Sequence, residues 1–172
     1  QNAFPWCIAS IPIPSWADKV FPGRGDAVDR LWDAIFAAVR ITGDGTAVEQ
    51  WRAHLATLER RREKLNALRF RSLRYQNSLG TDLTIQLPEN HLWAAGNSVT
   101  PRGQAFIANM PTEEIFTAPL REGVEGVVYA SMPLSHDGNI VDKFWMRVEH
   151  GKIVEVHAQT GEETLRHAIS VD

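Results

Sequence analysis

The feature that most constrains how this 172-residue chain can fold is a change of hydrophobic period close to residue 69. Before it, apolar residues fall at Val28, Leu31, Trp32, Ile35, Phe36 and Val39, the i, i+3, i+4, i+7 ladder of an amphipathic helix. A second ladder, Val48, Trp51, Leu55, Leu58, Leu65 and Leu68 with Arg62 interrupting, predicts a longer helix packed against the first. Beyond it the pattern alternates. Residues 70–76 read FRSLRYQ, and residues 82–87 put Leu83, Ile85 and Leu87 on one side. A period of about 3.6 and a period of about 2 belong to different elements, so helices come first and strands follow.

Punctuation supports this division. Gly23 and Gly25 break the chain before Asp26, a candidate helix cap, and Gly43 and Gly45 end the first helix. Thr46 and Glu49 have the spacing of a capping box. Residues 4–14, FPWCIASIPIP, mix β-formers with proline and suit an extended segment at a sheet edge. NSLG makes the turn of a hairpin between residues 70–76 and 82–87, residues 91–95 form a short strand, and AGNSVTPRG reads as a loop. Three further strands are expected at 124–132, 140–148 and 152–158, with turns at HDGN and EHGK, and GEETLRHAISV begins a helix. Hairpin-length connections imply antiparallel pairing. The expected fold class is α+β, a helical pair followed by a mostly antiparallel sheet or barrel-like region. Its parts are residues 1–68, an extended segment plus two helices, and residues 69–172, the β region carrying the PTEE motif and ending in a helix.

Composition narrows the function classes. With 44% hydrophobic and 23% charged residues the chain is ordinary globular material, and a net charge of -3 gives no global attraction to nucleic acid or anionic membranes. No apolar run approaches the roughly 20 residues that span a bilayer. The single cysteine, Cys7, allows neither a disulfide framework nor a thiolate zinc site within the chain, and reads as a buried thiol in a reducing, cytoplasmic setting. Arg52, Arg60, Arg61, Arg62 and Lys64 make one helix face basic, followed by Arg69, Arg71 and Arg74. Glu49, Glu59 and Glu63 interleave with them, so a solvated face is favoured over a nucleic-acid footprint. The alternative function it leaves open is a non-enzymatic module contacting protein or nucleic acid.

His54, His91, His136, His150, His157 and His167 are scattered, and none makes HExxH or another close metal-ligand spacing. GxSxG, GxGxxG and GxxxxGK[ST] are absent. Asp82 lies beside a turn glycine, where aspartate usually serves local hydrogen bonding. One stretch remains. Residues 107–119, IANMPTEEIFTAP, set Glu113 and Glu114 among Met110, Pro111, Ile115 and Phe116. Apolar neighbours exclude water, and a carboxylate kept from water needs a cation. The competing reading is a helix start with Thr112 as cap and the acids in its first turn.

NMPTEEIFTAP, VEGVVYASMPLS and GKIVEVHAQTGEETL, together with WADKVFP, RLWDAIFAAVR, GTDLTIQL and HLW upstream, resemble in the same order the thermophilic-type metallo-aminopeptidase family, the aminopeptidase T, aminopeptidase S and PepS group. The resemblance covers nearly the whole chain. It implies a homodimeric two-metal exopeptidase that removes amino-terminal residues from peptide substrates, using zinc, cobalt or a similar divalent pair. The second glutamate of PTEE is a metal ligand in the family pattern, which carries onto Glu114, with Glu113 as a site neighbour. The other ligands of the pattern, a glutamate in a Leu-Gly-Glu segment, a histidine and a His-x-Asp pair, have no counterpart in these 172 residues. The chain is therefore expected to be a central piece of such an enzyme, with no catalytic residue of its own, an incomplete metal centre and no peptidase activity in isolation.

Overall fold

A computed structural model describes residues 3–170. In chain order the elements are β1 (Ile8–Ala9), α1 (Pro14–Val20), α2 (Ala27–Ala38), α3 (Ala47–Leu68), β2 (Ser72–Gln76), β3 (Asp82–Gln86), β4 (Ala94–Ala95), β5 (Asn97–Val99), β6 (Ala105–Ile107), β7 (Asn109–Met110), β8 (Ile115–Phe116), β9 (Val124–Tyr129), β10 (Leu134–His136), β11 (Asn139–Glu149), β12 (Lys152–Thr160) and α4 (Glu162–Ser170). Helices and a mostly antiparallel sheet make the architecture mixed α and β. The elements gather into two compact units, Gln1–Leu68 with Trp93–Phe116, and Arg69–Leu92 with Thr117–Asp172.

In the first unit, α1 opens with Pro14 at a position where a missing N–H is no loss. Its small residue Ala17 lets α2 approach closely. Ala17, Ala27 and Leu31 form a buried cluster that Phe21, Val28 and Ile35 surround. The expected packing of the two long helices is not what forms: α1 takes the apolar face of α2, while α3 lies against β4 and β8. Only part of the α3 stripe is used, since Trp51 and Leu58 are buried while Val48 and Leu68 are exposed. Residues 97–99, read as loop, pair with β6 as a hairpin in which Thr100 Oγ1 accepts the Gln104 N–H at 3.1 Å. Cys7 is exposed, against the buried thiol expected of it, because its extended segment also leaves Phe4, Ile8 and Ile11 largely uncovered.

The second unit is built on a six-stranded sheet in the order β10-β11-β9-β3-β2, with β12 on β11. The long β11 pairs antiparallel with β10 through residues 139–141, with β9 through 145–148, and with β12 from Asp142 to Glu149. Two of its turns are two-residue loops with both residues at positive φ, Asp137-Gly138 and His150-Gly151, the backbone that matches the twist of a hairpin. The barrel-like alternative does not form. β2 remains an open edge, nearly all of it exposed and carrying Arg74, a charge of the kind that discourages further pairing. Over β11 and β12 lies α4, whose Leu165 completes a core with Val141, Val156 and Ala158.

Candidate functional site

The stretch from 107 to 119 is pinned on both sides and irregular between. Ile8 donates its N–H to the Ala108 carbonyl at 2.8 Å as β1 pairs parallel with β7, and β8 pairs antiparallel with β4. Residues 111–114 are neither helix nor strand, so the helix-start reading of Thr112 does not hold. Thr112 is buried, and its Cγ2 would lie 2.7 Å from a Cβ placed on Gly96, so only glycine leaves room there.

Glu113 is paired with a cation, but not because apolar neighbours keep it from water: both glutamates are exposed, the Glu113 side chain by 52%. The guanidinium of Arg40, 73 residues away in sequence, donates through both terminal nitrogens to the two carboxylate oxygens, the Nη2–Oε2 distance being 2.8 Å. A forked pair of this kind matches guanidinium to carboxylate geometry. Arg40 holds the Glu113 carboxyl below the usual glutamate range, chiefly through that hydrogen bond, against opposing desolvation and with help from the Arg40 and His54 charges. His54, on α3, donates from Nε2 to the Thr112 carbonyl at 2.7 Å, because a carbonyl can only accept, and the same nitrogen lies 3.5 Å from Glu113 Oε2.

Trp51 ties these groups together. Its buried Nε1 donates to the Val39 carbonyl at 2.7 Å, its ring lies 5.8 Å from the Arg40 guanidinium, and it meets the His54 ring edge-on at 5.7 Å. Arg40 itself closes α2. Ile41 N–H reaches the Phe36 carbonyl at 2.8 Å and Arg40 N–H the Ala37 carbonyl at 3.3 Å, with Arg40 at φ 61°. That is a Schellman ending with an arginine where glycine is the usual occupant. The helix stops there, ahead of the Gly43 and Gly45 expected to end it.

Glu114 is treated differently. It is exposed, and among the described residues its carboxylate makes no hydrogen bond or ion pair. One carboxylate oxygen donor without an internal partner suits a divalent cation in kind. Among the described residues no three His, Cys, Asp or Glu side chains gather as a metal-holding group.

The remaining candidates resolve into local pairs. Arg74 binds Asp82 through two nitrogens, at 2.8 and 2.7 Å. His91 Nδ1 lies 2.8 Å from the Pro88 carbonyl, and His157 Nδ1 lies 2.8 Å from Glu162 Oε2. On the basic face of α3, Arg62 pairs with Glu59 and Arg60 reaches Thr57. Asp26 spends its carboxylate on Arg24 and Arg30 and caps nothing with its side chain. The Thr46 hydroxyl is engaged by Asp44 and Gln50 rather than in a box with Glu49. No helix among the described residues is long and apolar enough to cross a membrane. Arg40 and His54 are the site residues sequence reasoning missed. A lone histidine on a helix and an arginine at a helix end carry no signal of their own.

Comparison with known proteins follows this geometry. Residues 1–172 match the family described as thermophilic metalloprotease (M29). The chain belongs to the M29 family. It is 42% identical over 169 residues to aminopeptidase AmpS of Bacillus subtilis strain 168 and 46% identical over 169 residues to aminopeptidase T of Thermus aquaticus. These alignments cover 97% of the chain and 41% of each relative, so the chain spans about two fifths of their length. The solved structure of wild-type AmpT from Thermus thermophilus superposes with a TM-score of 0.86 at 45% identity, covering 97% of this chain and 41% of that one.

Proposed function

We propose that this M29 chain is the central part of a dinuclear metal-dependent aminopeptidase that hydrolyses amino-terminal residues from peptides, and that Glu114 is one of its metal ligands. The observation that carries the assignment is the split fate of two adjacent glutamates: Arg40 occupies Glu113, while Glu114 has no partner among the described residues. Family membership and the names of the relatives support the reaction class. In such a centre a pair of divalent ions, zinc, cobalt or similar, supplies an activated water and polarises the scissile carbonyl. What this chain contributes is a carboxylate oxygen on a stretch held at both ends by strand pairing. Glu113 acts as a site neighbour, neutralised by Arg40 so that no second uncompensated charge stands beside the ligand. The whole enzyme is a cytoplasmic homodimer acting on peptides.

The 172 residues alone bind catalytic metal weakly or not at all and do not turn over peptides, because one carboxylate cannot hold two ions. Release of an aminoacyl chromophore with added zinc or cobalt tests this on the purified chain, and robust turnover contradicts it. In the full-length protein, Glu114→Ala is expected to lose both bound metal and peptidase activity. Unchanged metal content and activity there would favour the non-enzymatic module instead.

A further inference from the structure

We infer that Arg40, Trp51 and His54 form a clamp that positions the Glu114 carboxylate by immobilising the two residues before it. This inference rests on Glu114 being a metal ligand. The clamp holds the stretch at three kinds of atom: His54 Nε2 takes the Thr112 carbonyl at 2.7 Å, Arg40 takes both oxygens of Glu113, and the Thr112 side chain is seated against Gly96. Trp51 in turn fixes the clamp, bonding the carbonyl of the residue before Arg40 and contacting both the guanidinium and the imidazole. With the peptide and side chain at 112 and 113 occupied, the backbone leading into Glu114 has little freedom left.

Arg40 occupies a left-handed helix-ending position, φ 61°, that glycine fills at lower conformational energy. That makes Arg40→Gly an unusually clean probe, since the helix ending tolerates or prefers glycine while the clamp loses its guanidinium.

The test uses the full-length protein. Metal affinity is read by competition with a chromophoric chelator, ligand geometry by the visible absorption of the cobalt-loaded protein, and folding by melting of the metal-free protein. Arg40→Gly is expected to leave metal-free melting nearly unchanged, to weaken metal binding by about tenfold or more, in the range that loss of outer supporting groups produces, and to alter the cobalt spectrum. Arg40→Lys should recover only part of the affinity, because an ammonium cannot fork onto a carboxylate. His54→Phe should shift the same two metal readouts. Wild-type affinity and spectrum in Arg40→Gly, with Glu114→Ala losing metal, overturns the clamp but keeps the ligand. A weakened affinity that merely follows a large fall in metal-free melting makes Arg40 structural and also overturns it. Retention of metal by Glu114→Ala defeats the ligand assignment itself.

Discussion

Trp51 satisfies two requirements with one indole. Its N–H caps the Val39 carbonyl at the end of α2, and its face lies under the Arg40 guanidinium. Phenylalanine keeps the ring and removes the donor, leaving a carbonyl beside buried Val39 without that partner. Trp51→Phe is therefore expected to destabilise the chain by about 1–3 kcal/mol, measurable by urea unfolding at constant slope. A second residue-scale effect concerns acid. Asp26, between Arg24 and Arg30, titrates at about 2, its carboxylate form favoured first by the Arg24 hydrogen bond and then by Arg30. A folded value below the ordinary one, roughly 3.9, means that its contribution is present above pH 4 and is lost as pH falls towards 2. Comparing the wild type with Asp26→Asn, any stability difference that comes from this ionisation should be constant from pH 7 to about 4.5 and fall progressively below that, levelling off only below about pH 1. Direct titration of the carboxyl by NMR checks the shift itself.

At the scale of elements, the two tight turns share a backbone but not an environment. Gly138 and Gly151 both have positive φ, 76° and 74°, and a Cβ on Gly138 would meet nothing within 4 Å. A Cβ on Gly151 would run into the backbone of Arg121 and lie 3.2 Å from Glu122 Cα. Gly138→Ala should cost only the conformational penalty, about 1 kcal/mol, whereas Gly151→Ala should cost clearly more, about 3 kcal/mol or above, because backbone must move. Equal losses in chemical denaturation would show that the turn at Arg121 and Glu122 yields easily. The docking of α4 makes a similar prediction. Leu165 is 5% exposed in the core with Val141, Val156 and Ala158. Leu165→Ala should lose about 2–4 kcal/mol, with amide exchange accelerating first in α4.

For the molecule as a whole, the proposed incomplete metal centre has a thermodynamic signature. A ligand that binds only the folded state raises stability by RT ln(1 + [L]/Kd), so a single weak carboxylate site adds almost nothing at ~0.1 mM metal. Melting of the 172-residue chain should not shift on adding zinc or cobalt. A rise of several degrees would mean that a tighter site exists within it.

How much of this was legible in sequence depends on the range of the interactions involved. Hydrophobic period located α2, α3, the β2–β3 hairpin, β9, β11, β12 and α4, because burying one face of a helix or strand leaves a local imprint. The turns at HDGN and EHGK were equally plain, since positive φ selects aspartate, histidine and glycine nearby. Short elements such as α1, β5 and β10 were not, because in those stretches proline and loop signals outweigh a brief apolar pattern. Nor was the packing partner of α3 or the open edge of the sheet, both of which depend on which surfaces meet in space. Family membership was legible from the order of motifs along the chain.

The sequence by itself placed Glu113 and Glu114 side by side among apolar residues and raised the expectation of a cation at one of them. Only the tertiary structure decided which. Two identical adjacent side chains cannot be told apart by composition or spacing, and the groups that separate them, Arg40 and His54, lie 73 residues from Glu113 and 58 from Thr112. Periodicity records what a residue's immediate neighbours bury; an ion pair across such a separation exists only once α2 has ended at Arg40 and α3 has been laid against β4 and β8.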